Sequence, residues 1–179
     1  YKEKISEKVI TKPLSDYGKE KKYLENKLNE YSEFMEILIL RISNIFINEN
    51  ILISDNLIDK IIFRKINNKI LNFHGSKNDI RDFINLDLVV EIICKFTKKN
   101  LRKKLNIYNL SSGFGISFAQ IFKIIGIKNI KYKKKIKEST VILSNSKIKK
   151  IYKSNFSNNE AEFEKNLQKK LKNLSLNND

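Results

Sequence analysis

The chain has 179 residues, which suits one compact domain or a piece of a larger two-layer protein, and its 41% apolar content is enough for a core. Its formal charge of +16 is uneven: residues 95–153 hold 17 Lys or Arg against one acid, Glu138, and the remainder is neutral. The longest apolar runs, EILIL and LVVEIIC, are too short to span a membrane, and the charged opening YKEKISEK does not read as a signal peptide.

Other single residues narrow the classes further. One cysteine, Cys94, excludes an internal disulfide and fits a reducing compartment, taken here as the cytoplasm. Its apolar helical setting predicts a buried packing residue rather than a nucleophile. The lone His74, beside Gly75 in a loop, gives no basis for a metal site. The chain does not open with Met, so Tyr1 is expected not to be the native start. The basic stretch is an electrostatic footprint for phosphates. The chain-wide bias to Lys, Ile and Asn would supply solvated surface lysines just as well.

Residues 1–16 read as polar and turn-like, with the single proline Pro13. From Asp16 or Tyr17 to about Phe34 the pattern is helical, with Leu24, Leu28 and Tyr31 at helical spacing. Ile37–Ile42, ILILRI, reads as a buried strand, apolar on both faces. Helix, short link and apolar strand make the αβ step of a parallel, doubly wound sheet. DNLIDKIIFRKI follows as an amphipathic helix with Leu57, Ile58, Ile61 and Ile62 inward. KILNFHGSKNDIRDFINL predicts a strand, a glycine turn and a second extended piece. DLVVEIICKFTKK predicts a helix with Asp87 as N-cap. LNIYNLSSGFGIS is a strand running into a glycine loop, and Ser117 with Gln120 forms a capping box for the helix FAQIFKII. KNIKYKKK predicts an exposed strand, NSKIKKIY a short helix, and EAEFEKNLQKKLKNL a last amphipathic helix before a frayed SLNND.

Two positions read Tyr-x-x-x-Lys: Tyr17 with Lys21, and Tyr23 with Lys27. In a lysine-rich chain the bare pattern is weak, and context separates the two. Tyr17 sits at a helix entrance, where a phenol can point out of the fold. Tyr23 lies roughly 240° further around the helix, so both cannot face one site. The i,i+4 spacing brings Lys21 onto the face of Tyr17. An ammonium about 5 Å from a phenolate, at an effective dielectric of about 20, gains roughly 3 kcal/mol and lowers the phenol's pKa. Such a tyrosine can take a proton from a sugar hydroxyl and return it. The competing reading is a tyrosine that merely packs on its neighbour.

Four segments, in order, resemble the extended short-chain dehydrogenase/reductases, the NAD-dependent epimerase/dehydratase family acting on nucleotide sugars. ISEKVITKPLSDYGKEKKYLENKL is similar to the family's Pro-x-Ser-x-Tyr-Gly-x-x-Lys-x-x-x-Glu region, with Tyr17, Gly18, Lys21 and Glu25 matching. ILILRISNIF resembles its Leu-Arg-x-x-Asn strand end, with Arg41 and Asn44. NFHGSKNDIRDFINLDLVVEII resembles its Gly to Arg-Asp-Phe-Ile segment, with Arg81, Asp82 and Phe83, and YNLSSGFGISFAQI resembles its Asn-x-x-Ser-Gly loop.

The resemblance implies an α/β fold: the distal part of a Rossmann-like doubly wound parallel sheet plus a small α+β substrate-binding domain. It implies that residues 1–50 carry the Tyr-x-x-x-Lys helix of the dinucleotide domain, that 51–174 are mostly substrate-binding, and that 175–179 are a tail. By resemblance Tyr17 is the acid/base, and Lys21 tunes it and holds the nicotinamide ribose of NAD or NADP. Ser43 touches the nicotinamide side, while Asn44 and Arg81 contact the nucleotide-sugar diphosphate. A homodimer through helices including 17–34 is implied in the same way. The competing reading of Asn44 is a strand-end turn residue; for Arg81 it is an ion pair with Asp79 or Asp82.

Departures from the family stand beside these matches. No glycine of the five makes the Gly-rich dinucleotide turn, so the chain reads as a C-terminal part that would bind cofactor poorly alone. Glu20, Ile47 and Leu88 also depart from the family pattern, and the Lys133–Lys137 run lacks its phosphate-contact motif. Two alternatives therefore stay open: a non-catalytic, degenerate nucleotide-sugar binder, and a nucleic-acid-binding module on the basic 95–153 half. Sparse aromatics and a preference for Lys over Arg count against the second.

Overall fold

The structure is a computed structural model that describes residues 3–53, 55–98, 104–133, 138–152 and 159–176. In chain order its elements are α1 (Asp16–Tyr31), β1 (Ile37–Ile42), β2 (Asn44–Phe46), α2 (Leu57–Ile66), β3 (Leu71–Phe73), β4 (Ile80–Arg81) and β5 (Phe83–Asn85). Then follow α3 (Leu86–Thr97), β6 (Leu105–Leu110), β7 (Ile116–Ser117), α4 (Phe118–Ile125), β8 (Ile130–Tyr132), β9 (Thr140–Val141), α5 (Ser146–Lys149) and α6 (Glu160–Leu176).

The parallel αβ step predicted from the first apolar run is present. β1 pairs with β6 in parallel, from Ile37 opposite Leu105 to Ile42 opposite Leu110. β2 pairs in parallel with β5, and β3 with β8. The short β4 lies between β7, antiparallel, and β9, parallel.

Two hydrophobic cores form. One packs Leu88, Val89, Ile92 and Phe96 of α3 against Tyr108 and Leu110 of β6, Ile84 and Ile148, with Leu38 and Leu40 of β1 at its edge. The other joins Phe46, Ile58, Ile61 and Ile62 to Phe73, Phe83, α4 and the Phe163 and Leu167 side of α6. The Phe163 ring lies 5.0 Å from Phe46 and 5.3 Å from Phe83, centroid to centroid, so α6 closes this core with an aromatic wedge. The cores draw on interleaved stretches: α3 and β6 return to β1 after the chain has built α2 and β3. A cut at residue 50 therefore separates β1 from the strand and helix that cover it.

Several local expectations need correcting. The N-cap of α3 is Asn85, whose side chain accepts from the Asp87 amide at 2.8 Å; Asp87 sits in the first turn, where its charge still complements the helix dipole. Cys94 is exposed, not buried, because α3 turns Leu88, Ile92 and Phe96 inward and leaves Val90 and Ile93 beside the cysteine outward. α1 stops at Tyr31, and its apolar stripe does not reach a core: Leu24, Leu28 and Tyr31 are exposed. Of the expected tail, Ser175 and Leu176 belong to α6, and the last three residues lie outside the described ones. Lys134 to Lys137 of the basic run also lie outside them.

Among the described residues, one ionic contact is fully internal. Lys170 on α6 donates from Nζ to Asp59 Oδ1 at 2.7 Å and to the Ile47 carbonyl at 2.9 Å, with both side chains at most 1% exposed. Asp59 Oδ2 accepts the Ile53 amide at 3.0 Å. The pair thus ties α6, α2 and the 47–53 connection together. Among the described residues, no helix is long and apolar enough to cross a membrane.

Candidate active site

The entrance of α1 is built by a turn packed onto the helix. Ser15 caps it, accepting the Gly18 amide at 3.1 Å. A Cβ at residue 18 would stand 2.9 Å from the Pro13 Cβ, so the Pro13–Ser15 turn can lie against this first turn only if residue 18 is glycine. A glycine thus follows Tyr17 at the helix entrance, and Tyr17 itself is 70% exposed.

Lys21 Nζ lies over the Tyr17 ring, 5.2 Å from its centroid. Lys27 stands over Tyr23 at 6.0 Å, so the spacing alone creates both pairs. The charges differ in their commitments. Lys27 is held by Glu30 at 3.0 Å, Lys19 by Asp16 at 2.9 Å, and Lys22 donates to the Thr11 carbonyl at 2.7 Å. Among the described residues, the Lys21 ammonium makes no hydrogen bond or ion pair and is left to the Tyr17 ring.

α1 is fixed to the sheet by a two-pronged ion pair. Arg41, near the end of β1, donates from Nε to Glu25 Oε1 at 2.9 Å and from Nη2 to Glu25 Oε2 at 2.6 Å. The hydrogen bond to Glu25 raises the Arg41 pKa further, against the opposing effect of burial. A rigid fork on a carboxylate holds one rotation of the helix, and hence the positions of Lys21 one turn back and Tyr17 two turns back. The sequence offered Glu25 and Arg41 only as separate motif matches; nothing local shows that residues 16 apart meet.

Two residues past Arg41, Ser43 and Asn44 leave the end of β1. The Ser43 amide donates to the Leu110 carbonyl at 3.0 Å, and both the amide and the Nδ2 of Asn44 donate to the Asp82 carbonyl, at 3.1 and 2.9 Å. Asn44 therefore crosses from β2 to the β4–β5 link. Arg81 sits on β4, 24% exposed at its side chain, and donates from Nη1 to the Ile80 and Ser139 carbonyls and from Nη2 to Ser139 Oγ. Asp79 Oδ2 is 3.7 Å from Arg81 Nη2. Both polar residues thus have structural partners, and Arg81 has the ion pair with Asp79 weighed against it.

Asp82, 1% exposed, organises the neighbouring loop: Oδ1 accepts the Ser112 amide and hydroxyl at 3.1 and 2.7 Å, and Oδ2 the Gly113 and Leu143 amides at 3.1 and 3.3 Å. Burial still pushes its pKa up, against the pull of the Ser112 hydroxyl and the Ser112 and Gly113 amides. Gly113, at φ 77°, faces Asn145 so closely that a Cβ would come within 2.8 Å of its Nδ2. A sequence reader sees Asp82 as a motif letter; its four donors come from two other segments. The five candidates divide into Tyr17 and Lys21 on α1, and Ser43, Asn44 and Arg81 around Asp82, joined through Glu25–Arg41 and β1.

No family model matches the sequence, and no curated protein does. Solved structures do match in fold. A UDP-N-acetylglucosamine 4-epimerase from Methanobrevibacter ruminantium M1, in complex with UDP-N-acetylmuramic acid, superposes over 98% of this chain and 58% of its own, with a TM-score of 0.76 at 19% identity. A dTDP-glucose 4,6-dehydratase from Bacillus anthracis, in complex with NAD, covers 98% and 57% with a TM-score of 0.77 at 18% identity. A UDP-glucose 4-epimerase from Thermotoga maritima, with UDP-glucose, covers 98% and 58% with a TM-score of 0.74 at 18% identity. The chain thus spans a little over half the length of these structures. Its fold is the one the NAD-dependent nucleotide-sugar epimerases and dehydratases share over that portion.

Proposed function

We propose that the chain is the distal, substrate-binding portion of an NAD(P)-dependent epimerase, dehydratase or reductase of a nucleotide sugar. The observation that carries this reading is the uncommitted Lys21 ammonium 5.2 Å from the exposed Tyr17 ring, on a chain whose fold neighbours include enzymes of that kind. In this reading 1–50 belong to the dinucleotide domain and 51–174 mostly to the substrate domain, in a cytoplasmic protein.

Tyr17 takes the proton from a sugar hydroxyl as the carbon beneath it is oxidised, and gives it back when that carbon is reduced. Lys21 stabilises the phenolate form of Tyr17 that accepts this proton, and reaches the nicotinamide ribose. The dinucleotide supplies the acceptor and donor of hydride. Tyr17, Lys21 and Ser43 suit its nicotinamide end: an exposed phenol, an ammonium without another partner among the described residues, and a hydroxyl residue at the end of a parallel strand. Its pyrophosphate needs a glycine-rich turn that these residues do not supply. Asn44 and Arg81 take the substrate diphosphate. The apolar face of α1, with Leu24, Leu28, Tyr31 and Phe34 exposed, is the proposed homodimer surface.

The test is Tyr17→Phe in the enzyme that carries this chain together with its dinucleotide half. Turnover of a nucleotide sugar is expected to fall by about 10²–10⁴-fold while NAD binding persists. Unchanged turnover refutes the acid/base role; binding of the nucleotide sugar without turnover in the unmutated protein supports the degenerate copy instead.

A further inference from the structure

A cleft of about 540 Å³ opens between α2, the 52–53 stretch and β3, within the range that holds a small ligand. None of Tyr17, Lys21, Ser43, Asn44 or Arg81 lines it. Leu52, Ile53, Phe63 and Leu71 form apolar walls, and the first three remain partly exposed after folding. Lys60 and Arg64, one turn apart on α2, put two cations on the same cleft. Their commitments are slight. Lys60 reaches only the almost fully exposed Asp55, at 3.6 Å, and the half-buried Arg64 guanidinium makes no hydrogen bond or ion pair among the described residues. Lys69 adds a third positive charge, 5.3 Å from the Phe63 ring centroid.

Asp59 also lines the cleft, and a bare carboxylate there would repel an anion. It is not bare. Its Oδ1 is neutralised from beneath by buried Lys170, and its Oδ2 is taken by the Ile53 amide, which also fixes the wall residue Ile53. The internal ion pair thus cancels the Asp59 charge inside the cleft and leaves Arg64 and Lys60 at its mouth opposed, among the described residues, by the solvated Asp55 alone.

We propose that this cleft binds a small amphipathic anion. A flat apolar ring lies against Phe63, Ile53 and Leu71, and a phosphate or similar group is held by Arg64 with Lys60. A planar fork without a protein partner suits such an oxyanion, and the partly exposed apolar wall gains from being covered. The inference is independent of the chemistry proposed for Tyr17.

The experiment titrates the 179-residue chain with 1-naphthyl phosphate, with 1-naphthol and with inorganic phosphate, following calorimetric heat and ¹H–¹⁵N shifts. Saturable binding of 1-naphthyl phosphate is expected, at least about tenfold tighter than either half-molecule. Arg64→Gln and Phe63→Ala should each weaken it by about tenfold, with the largest shift changes on α2 and at Ile53. Both positions are partly exposed, and thermal melting checks that the variants stay folded. Absence of saturable binding, equal affinity for naphthyl phosphate and inorganic phosphate, or affinity unmoved by both substitutions would overturn the proposal.

Discussion

Replacing Lys170 with methionine removes the ammonium from beneath α2 and keeps most of the side-chain volume. Asp59 is then left 1% exposed, with the Ile53 amide as its remaining hydrogen-bond partner among those described. At 2.7 Å and an effective dielectric of about 20, the lost attraction is roughly 6 kcal/mol. The desolvation that the ammonium no longer suffers offsets part of that, and breaking a buried pair on one side costs about 3–5 kcal/mol net. Against a total stability of about 5–15 kcal/mol this is a large fraction. Asp59→Leu alone strands the ammonium on the Ile47 carbonyl and should cost a similar amount. The double variant, Lys170→Met with Asp59→Leu, restores a matched apolar contact and should lie within about 2 kcal/mol of the original. Urea unfolding of all four proteins, followed by far-UV circular dichroism, gives the coupling energy. A single substitution costing less than about 0.5 kcal/mol, or costs that simply add in the double variant, would show that the pair does not act as argued.

Arg41→Gln removes the fork that holds Glu25, so the protein should lose about 1.5–3 kcal/mol, with hydrogen exchange in α1 speeding more than in α3. Two aspartates should move stability in opposite directions with pH. Burial acts to raise the Asp79 pKa, but the amides of Ser139 and Ser76, Arg81 and the Ser139 hydroxyl outweigh it and leave it below 3.8. Its contribution is therefore present above 3.8 and lost as pH falls through the lower folded value. Asp82 is raised, so its contribution is full below 3.8 and declines as pH rises through its folded value. Melting temperature against pH should thus lose part of its acid limb in Asp79→Asn, whereas Asp82→Asn should change the slope with the opposite sign. Ser117→Ala breaks the capping box of α4, in which Ser117 Oγ accepts the Gln120 amide at 3.2 Å, and should lower stability by about 1 kcal/mol in a denaturant titration.

Where a chain segment decides its own structure, the residues alone were sufficient. ILILRI is a strand because five branched, apolar residues flank Arg41, with Ile37 and Ile39 buried on one face and Leu38 and Leu40 half-buried on the other, and it spans the same Ile37–Ile42 in the fold. Ser117 and Gln120 cap α4 because both partners lie within one turn. The Tyr17–Lys21 approach follows from i,i+4 geometry and needs no tertiary contact. What failed were claims about which face meets a partner. Cys94 stands in an apolar stretch, but its burial depends on what other segments bring against α3, and nothing described covers that face. The sites joined across sequence were equally hidden: Glu25 with Arg41, Asp82 with the Ser112–Gly113 loop, and Asp59 with Lys170, 111 residues away. Periodicity and capping are read within a turn or two of backbone. Charge pairing and burial are set only when distant segments close on one another, and that the folded chain alone decides.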